Sequence, residues 1–265
     1  MTMTTDNFSR GMESLFRGSC AGLALAFSLL LSMNTNADTE AVFTPFAPLL
    51  ADHVDNGNVD YRAFARSTEF AQMVTALATL APAQDADQAN RLAFYINAYN
   101  ALSIQGILDG YSPESIWGRL KFFKRRKYDA FNTSLSLYEL EHERIISEGE
   151  PRIHFAIVCA SQSCPPLQST LFTPAGLDAQ LDAAARGFIN AQDKNQFDVA
   201  NRKATLSRIF KWYKQEFEVA GGGSLAGYLA QYADDPALAQ SLKNDDWSFS
   251  YFPYDWSLNG ISPKE

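Results

Sequence analysis

The run from 89 to 108 constrains the fold more than any other part of this chain. It has no proline, and its apolar residues recur at helical spacing up to Asp109-Gly110, where a helix stop wants a glycine. The run is therefore read as a helix. Asn97 and Asn100, three positions apart, share a face with Ala93 and Ile104. Asparagine is a poor interior helix former, because its amide competes with the backbone for hydrogen bonds. Two on one face among small and apolar residues are expected to be buried. They either clamp another segment or touch a substrate, and the sequence leaves both open.

The stretch 153–167 is where chemistry is sought. It begins with Ile153, Phe155, Ile157 and Val158, the composition of a buried strand, and ends in Ser161-Gln162-Ser163 before Pro165-Pro166. Cys159, Cys164 and His154 all lie here. Strand alternation places Ala156 and Val158 on the face of His154 and Cys159 on the other, so His154 is expected to point elsewhere. A four-residue spacer lets the two cysteine Cα atoms come within the ~7 Å a disulfide needs. A free nucleophilic Cys159 is the alternative, with Cys164 as a resolving thiol. The spacing matches no standard zinc pattern and is too long for a Cys-x-x-Cys redox motif, so no metal and no cofactor are expected.

Compartment bears on that choice. Arg10 and Arg17 precede an apolar run over 20–33, and Thr35-Asn36-Ala37 offers a cleavage site. Residues 1–37 are therefore expected to be a signal peptide, with Met12 an alternative start. The run falls short of the ~20 apolar residues of a membrane span. Export to an oxidising compartment, the periplasm first, would favour a disulfide. Removing two basic and two acidic residues leaves the net charge at −8, which argues against nucleic-acid binding.

Residues 38–265 suit one domain. The start, to about 50, is expected to be an arm. Asn56-Gly57 is a turn leading into a helix over 61–80; the oxygen spacing around it does not fit a calcium loop. Ser136 and Glu139 form a capping box that opens a helix carrying Glu141 and His142 at neighbouring positions. The basic cluster Arg119, Lys121, Lys124, Arg125, Arg126 and Lys127 is interleaved with aromatics. It is read as the solvated face of a strand that buries Phe122, Tyr128 and Phe131, or else as a grip on an anionic surface. A helix over 174–191, a hairpin over 196–206, an aromatic helix over 208–217 and a strand over 247–252 follow. The expected fold is α+β: mostly helices, with a small antiparallel sheet of three to five strands.

Four stretches together resemble the domain of unknown function family number 547. They are Phe94-Tyr95-Ile96-Asn97-Ala98-Tyr99-Asn100-Ala101-Leu102, Leu140-Glu141-His142, the run from His154 through Cys159 to Leu167, and Ile209-Phe210-Lys211-Trp212-Tyr213 with Tyr254-Asp255-Trp256-Ser257-Leu258-Asn259. The family occurs in exported bacterial proteins and in plant proteins behind a leucine zipper. No heptad region precedes the domain here, so the exported type fits. The resemblance implies that the Asn pair, the Glu-His pair and the first cysteine come together. On that basis Cys159 is the expected nucleophile and His142 its base, with Glu141, Asn97 or Asn100 orienting it; Asn100, Ser163, Cys164 and Trp212 are expected to bind substrate. The expected function is a thiol-dependent hydrolase or acyl transferase. The alternative is a non-catalytic module with a structural disulfide that grips a peptide, glycan or partner protein.

Overall fold

The long helix runs Gln88–Leu108, opened by Asp87, whose Oδ1 accepts the Asn90 N–H. From Leu92 to Ile107 every residue but Gln105 is buried. A helix apolar all round cannot lie on a surface, so the rest of the larger core wraps it. The computed structural model describes residues 39–244 and 246–264; the leader expected over 1–37 lies outside them.

Both asparagines on this helix act as clamps. Asn97 donates to the Phe172 carbonyl at 2.8 Å and accepts the Phe172 N–H at 3.0 Å. Asn100 donates to the Ala156 carbonyl at 3.0 Å and accepts the Val158 N–H at 2.9 Å. Each amide thus stands in for a neighbouring strand, satisfying one donor and one acceptor of a segment that has no sheet to join.

That segment is not the strand its composition suggested. Pro151–Phe155 is a 3-10 helix with proline in its first turn, and Glu150 caps it by accepting the Arg152 N–H. Ile153, His154, Phe155 and Ala156 are all buried, so no alternation of faces exists and the parity argument about His154 falls away. The β-branched and aromatic composition reported burial rather than strand geometry. Ile153 packs into the cluster around the long helix, whereas Phe155 packs into a second cluster with Phe188, Phe210 and Phe217. The segment joins the two cores.

Other expectations change in the same way. Residues 119–125 are helical, not a strand: Ile116–Arg119 is capped by Ser115 and continues as a π-helical Leu120–Arg125. Only Tyr128–Ala130 (β3) is extended, pairing antiparallel with Thr133–Leu135 (β4). The N-terminal arm is instead a helix, Phe46–His53, with Phe43, Phe46 and Leu50 in the core. The helix expected over 61–80 breaks into Tyr61–Arg66 and Thr68–Ala76, because Ser67 turns extended and caps the second.

The architecture is α+β, with the strands split among three small sheets. Val54–Asp55 (β1) and Asn58–Asp60 (β2) form a hairpin about Asn56-Gly57, and Gly260–Ile261 (β8) joins β2 in parallel. Gln196–Asp198 (β5) and Lys203–Leu206 (β6) form the expected hairpin, and Ser248–Tyr251 (β7) joins β6, also in parallel. The all-antiparallel expectation therefore gives way, since two partner strands return from the C-terminal segment.

Replacing Asn100 with alanine leaves the Ala156 carbonyl and the Val158 N–H buried without partners. The expected cost is about 2–4 kcal/mol, read as a lower urea midpoint with an unchanged slope.

Candidate functional site

The cysteine loop is fixed from several sides. The C-terminal tail lies along it: Gln162 N–H donates to the Ser257 carbonyl at 2.9 Å, and Asp255 N–H donates to Ser163 Oγ at 2.9 Å. Lys194 Nζ donates to the Gln162 carbonyl at 2.6 Å. Gly57, at φ +81°, lies so close to Pro166 that a Cβ there would stand 2.6 Å from the Pro166 Cα. Ala160 adopts a left-handed φ of 58° while buried, a conformation that costs an alanine and persists only where its surroundings impose it.

Within this loop Cys159 and Cys164 form a disulfide, with Cα atoms 6.2 Å apart. The Cys159 N–H donates to Cys164 Sγ at 3.0 Å. The Tyr254 hydroxyl lies 3.2 Å from Cys159 Sγ and 3.3 Å from Cys164 Sγ. A disulfide sulfur carries no proton, so the tyrosine is the donor. In this oxidised form Cys159 has no thiolate to offer.

The disulfide forms part of the wall of a cavity of about 530 Å³, at the seam of the two hydrophobic clusters. Its aromatic walls are Tyr99, Phe123, Tyr138, Tyr213 and Tyr254, with Trp212 and Trp256 beside them. Trp212 and Trp256 both pack against Tyr254, with ring centroids 4.7 and 4.4 Å from it. Trp212 remains 46% exposed. A pocket of this size, mostly apolar with a few polar groups, is the usual form of a small-molecule site.

The polar groups are unevenly placed. Glu141 is only 7% exposed and begins a π-helical turn, Glu141–Ile145, after the capping box at Ser136. The Tyr213 hydroxyl donates to its Oε1. Burial pushes the hydroxyls of Tyr99, Tyr213 and Tyr254 above the ordinary tyrosine value, and the Glu141 charge pushes each further. All three stay protonated at neutral pH and can serve as donors. His142 is exposed and stacked on Tyr138, with centroids 3.9 Å apart. Its Nδ1 lies 2.9 Å from the Tyr138 carbonyl, which can only accept, so Nδ1 is the donor in this contact.

His154 belongs to the same cavity wall, contrary to the expectation that it faces elsewhere. Its ring stacks on Tyr213 at 3.6 Å, and its Nε2 pairs with Glu216 Oε2 at 3.0 Å. Its Nδ1 is buried without a partner. A buried imidazole held by a carboxylate supports the Tyr213 ring that in turn holds Glu141.

Cys159, Cys164, Glu141, His142 and Trp212 therefore come together around one cavity. Asn97, Asn100 and Ser163 do not line it; their side chains bond the backbone of Phe172, of Ala156 and Val158, and of Asp255. Neither Asn97 nor Glu141 hydrogen-bonds His142. Sequence reasoning assigned no site role to Tyr99, Tyr138, Tyr213, Tyr254 or His154. The signal available was the tyrosine and tryptophan density of 209–213 and 254–256, which on one chain reads equally as core.

A larger hollow of about 670 Å³ lies beyond the same loop and shares Cys164 and Pro165 with the first. Two of its polar groups, Lys194 and Asn259, bond the carbonyls of Gln162 and Gly57.

The family described as "Protein of unknown function, DUF547" matches residues 83–189. That span carries a DUF547 domain. The DUF547 match takes in both asparagines, Glu141, His142, His154 and the whole cysteine loop, but neither the Trp212-Tyr213 nor the Tyr254–Trp256 wall. The site is thus built from the DUF547 span and from chain that follows it. Among curated proteins and among solved structures nothing matches the chain.

Protein beginning after Ala37 contains only Cys159 and Cys164 as cysteines. Denatured without reductant it should show no titratable thiol, and two after reduction. Opening this short loop by a Cys159→Ser, Cys164→Ser double change should lower stability by about 2 kcal/mol in the loop-closure account.

Proposed function

We propose that this is an exported, non-catalytic binding module that takes a small ligand, a peptide or glycan end, into the aromatic cavity. The observation that carries the reading is the cavity itself: about 530 Å³, walled by tyrosine and tryptophan, with one buried carboxylate inside it. Aromatic walls suit sugar rings and peptide side chains alike, since both present apolar faces for stacking. The disulfide supports export and a structural role for the cysteines, because it fixes one wall and suits an oxidising compartment. The apolar run over 20–33 supports export independently.

Isothermal titration with di- and tripeptides and with short oligosaccharides tests this reading. At least one class should bind saturably, and Trp212→Ala should weaken it by about tenfold, the loss of one well-packed aromatic contact. Absence of saturable binding in every class, by folded protein, would reject it.

One specific arrangement favours a second reading as a thiol enzyme: Cys159, His142 and Glu141 share the cavity, and the His142 bond to the Tyr138 carbonyl uses Nδ1 rather than Nε2. Reduction would then free Cys159 for attack on an acyl group, with His142 as base. Reduced protein should give a burst of p-nitrophenol from p-nitrophenyl acetate. Cys159→Ser should abolish the burst and His142→Ala should slow it by about 100-fold. A burst that survives Cys159→Ser excludes this reading.

A further inference from the structure

Glu141 is more than nine-tenths buried, with 7% of its surface exposed. Among the described residues no cation bonds it, and its hydrogen-bond partner is the Tyr213 hydroxyl, on Oε1. The nearby phenols of Tyr99 and Tyr254 are neutral and cannot balance a charge. Buried carboxylates in folded proteins are paired, because desolvation without a countercharge is expensive. Here a buried carboxylate with no countercharge bonded to it lines a cavity walled by tyrosine and tryptophan rings. Rings at the rim already hold cations: the Lys124 ammonium lies 4.2 Å above Tyr138, and the Arg119 guanidinium 4.6 Å above Trp256. One carboxylate supplies too few oxygen ligands for a metal ion, and no cluster of three His, Cys, Asp or Glu side chains occurs among the described residues. An organic cation needs only one carboxylate and ring faces.

We infer that the cavity recognises an organic ammonium group, bound against Glu141 and enclosed by Tyr99, Tyr213, Tyr254 and Trp212. This rests on the binding reading above and names the class of ligand for it. Lys124 and His142 at the same cavity also favour a ligand whose other end is anionic or polar, so an amino-terminal or amino-sugar group fits better than a purely cationic chain.

Benzylammonium and its neutral counterpart benzyl alcohol are the probes, followed by tryptophan fluorescence on the full chain. Benzylammonium should quench saturably and bind at least about tenfold tighter than the alcohol. Glu141→Gln, which keeps the acceptor for Tyr213, should bring the two probes to equal affinity. If the alcohol binds as well as the amine, or if Glu141→Gln keeps the preference, the cation assignment fails while the pocket stands. If neither probe binds wild-type protein, the cation assignment fails, and the titrations with peptides and oligosaccharides decide the binding reading separately. The wild-type comparison decides even where the variant does not fold.

A separate observation carries a second proposal. Ile116 and Trp117 are the large apolar side chains at the start of the helical segment that runs through Leu120–Arg125, and they are 75% and 70% exposed. Lys121 and Arg125 follow Trp117 at intervals of four and eight and are exposed as it is, whereas Lys124 lies at the cavity over Tyr138. Arg126 and Lys127 are occupied by Asp109 and Glu139, but Lys121 and Arg125 have no ion pair among the described residues. A glycan would explain an exposed tryptophan but not an isoleucine beside it, since an aliphatic side chain gains by leaving water for an apolar phase. Tryptophan and basic residues exposed on one helical segment suit a membrane surface, with the ring at headgroup depth and the cations on anionic headgroups.

We propose that this segment docks the protein peripherally on an anionic lipid surface. No described helix is long and apolar enough to cross a membrane, so the contact is interfacial. Co-flotation with phosphatidylglycerol–phosphatidylcholine vesicles, against phosphatidylcholine alone, tests it. Binding should require the anionic lipid and fall with salt. Ile116→Ser with Trp117→Ser should abolish it, and Lys121→Gln and Arg125→Gln should each weaken it about fivefold. Absent binding, equal binding to neutral vesicles, or binding unaffected by either pair of changes would overturn it.

Discussion

The structure depends on the clasp between Asn100 and the backbone of Ala156 and Val158. The segment that leads to Cys159 is buried yet belongs to no sheet, so its peptide groups need partners that secondary structure does not supply. A side-chain amide, with one donor and one acceptor in fixed geometry, meets that need where a longer or charged side chain would not. Because the amide stands on a helix buried on all sides, it cannot drift, and neither can the loop. Asn97 holds Phe172 in the same way, so the chain leaving the loop is fixed to the same helix as the chain entering it.

This arrangement lets charge be concentrated where water is scarce. Pro151–Phe155 joins the two cores, and the cavity opens at the seam beside it. Glu141 reaches that seam because the capping box at Ser136 sets the start of its helix and a π-helical turn follows. Tyr213 meets it from the second cluster, steadied by the His154 ring, itself paired with Glu216. The chain of support runs from a partly exposed carboxylate through an imidazole and a phenol to a buried carboxylate. Each member orients the next, so the cavity is shaped before any ligand arrives.

Where residues interact with near neighbours in sequence, the sequence was legible. The long helix, the capping box, the hairpin over 196–206 and the α+β class are all local patterns, and they stand as read. Buried asparagines could be foreseen because an amide on an apolar helix face must bond a passing backbone or go unsatisfied. What could not be read depends on distant partners. The run from Ile153 to Val158 looked like a strand because burial and strand formation select the same residues, and only the lack of a partner strand separates them. The basic segment failed for a related reason: the cap at Ser115 that makes it helical is weak as a sequence signal beside basic residues interleaved with Phe122, Phe123 and Tyr128. His154 was misplaced as a consequence of the first error rather than by its own chemistry.

The two chain regions that make the cavity also divide its physical tasks. The DUF547 span supplies the carboxylate, both cavity histidines and the disulfide, and Tyr213 and Glu216 of the later chain bond Glu141 and His154. The later chain supplies Trp212, Tyr213, Tyr254 and Trp256, whose ring faces determine what shape can enter. Tyr254 binds the two parts together, since its hydroxyl reaches both sulfurs while its ring carries the two tryptophans. Opening the disulfide would therefore alter the aromatic wall as well as free a thiol. Loss of binding on reduction would follow from the wall alone, and only chemistry at the Cys159 sulfur itself separates an enzyme from a binding module.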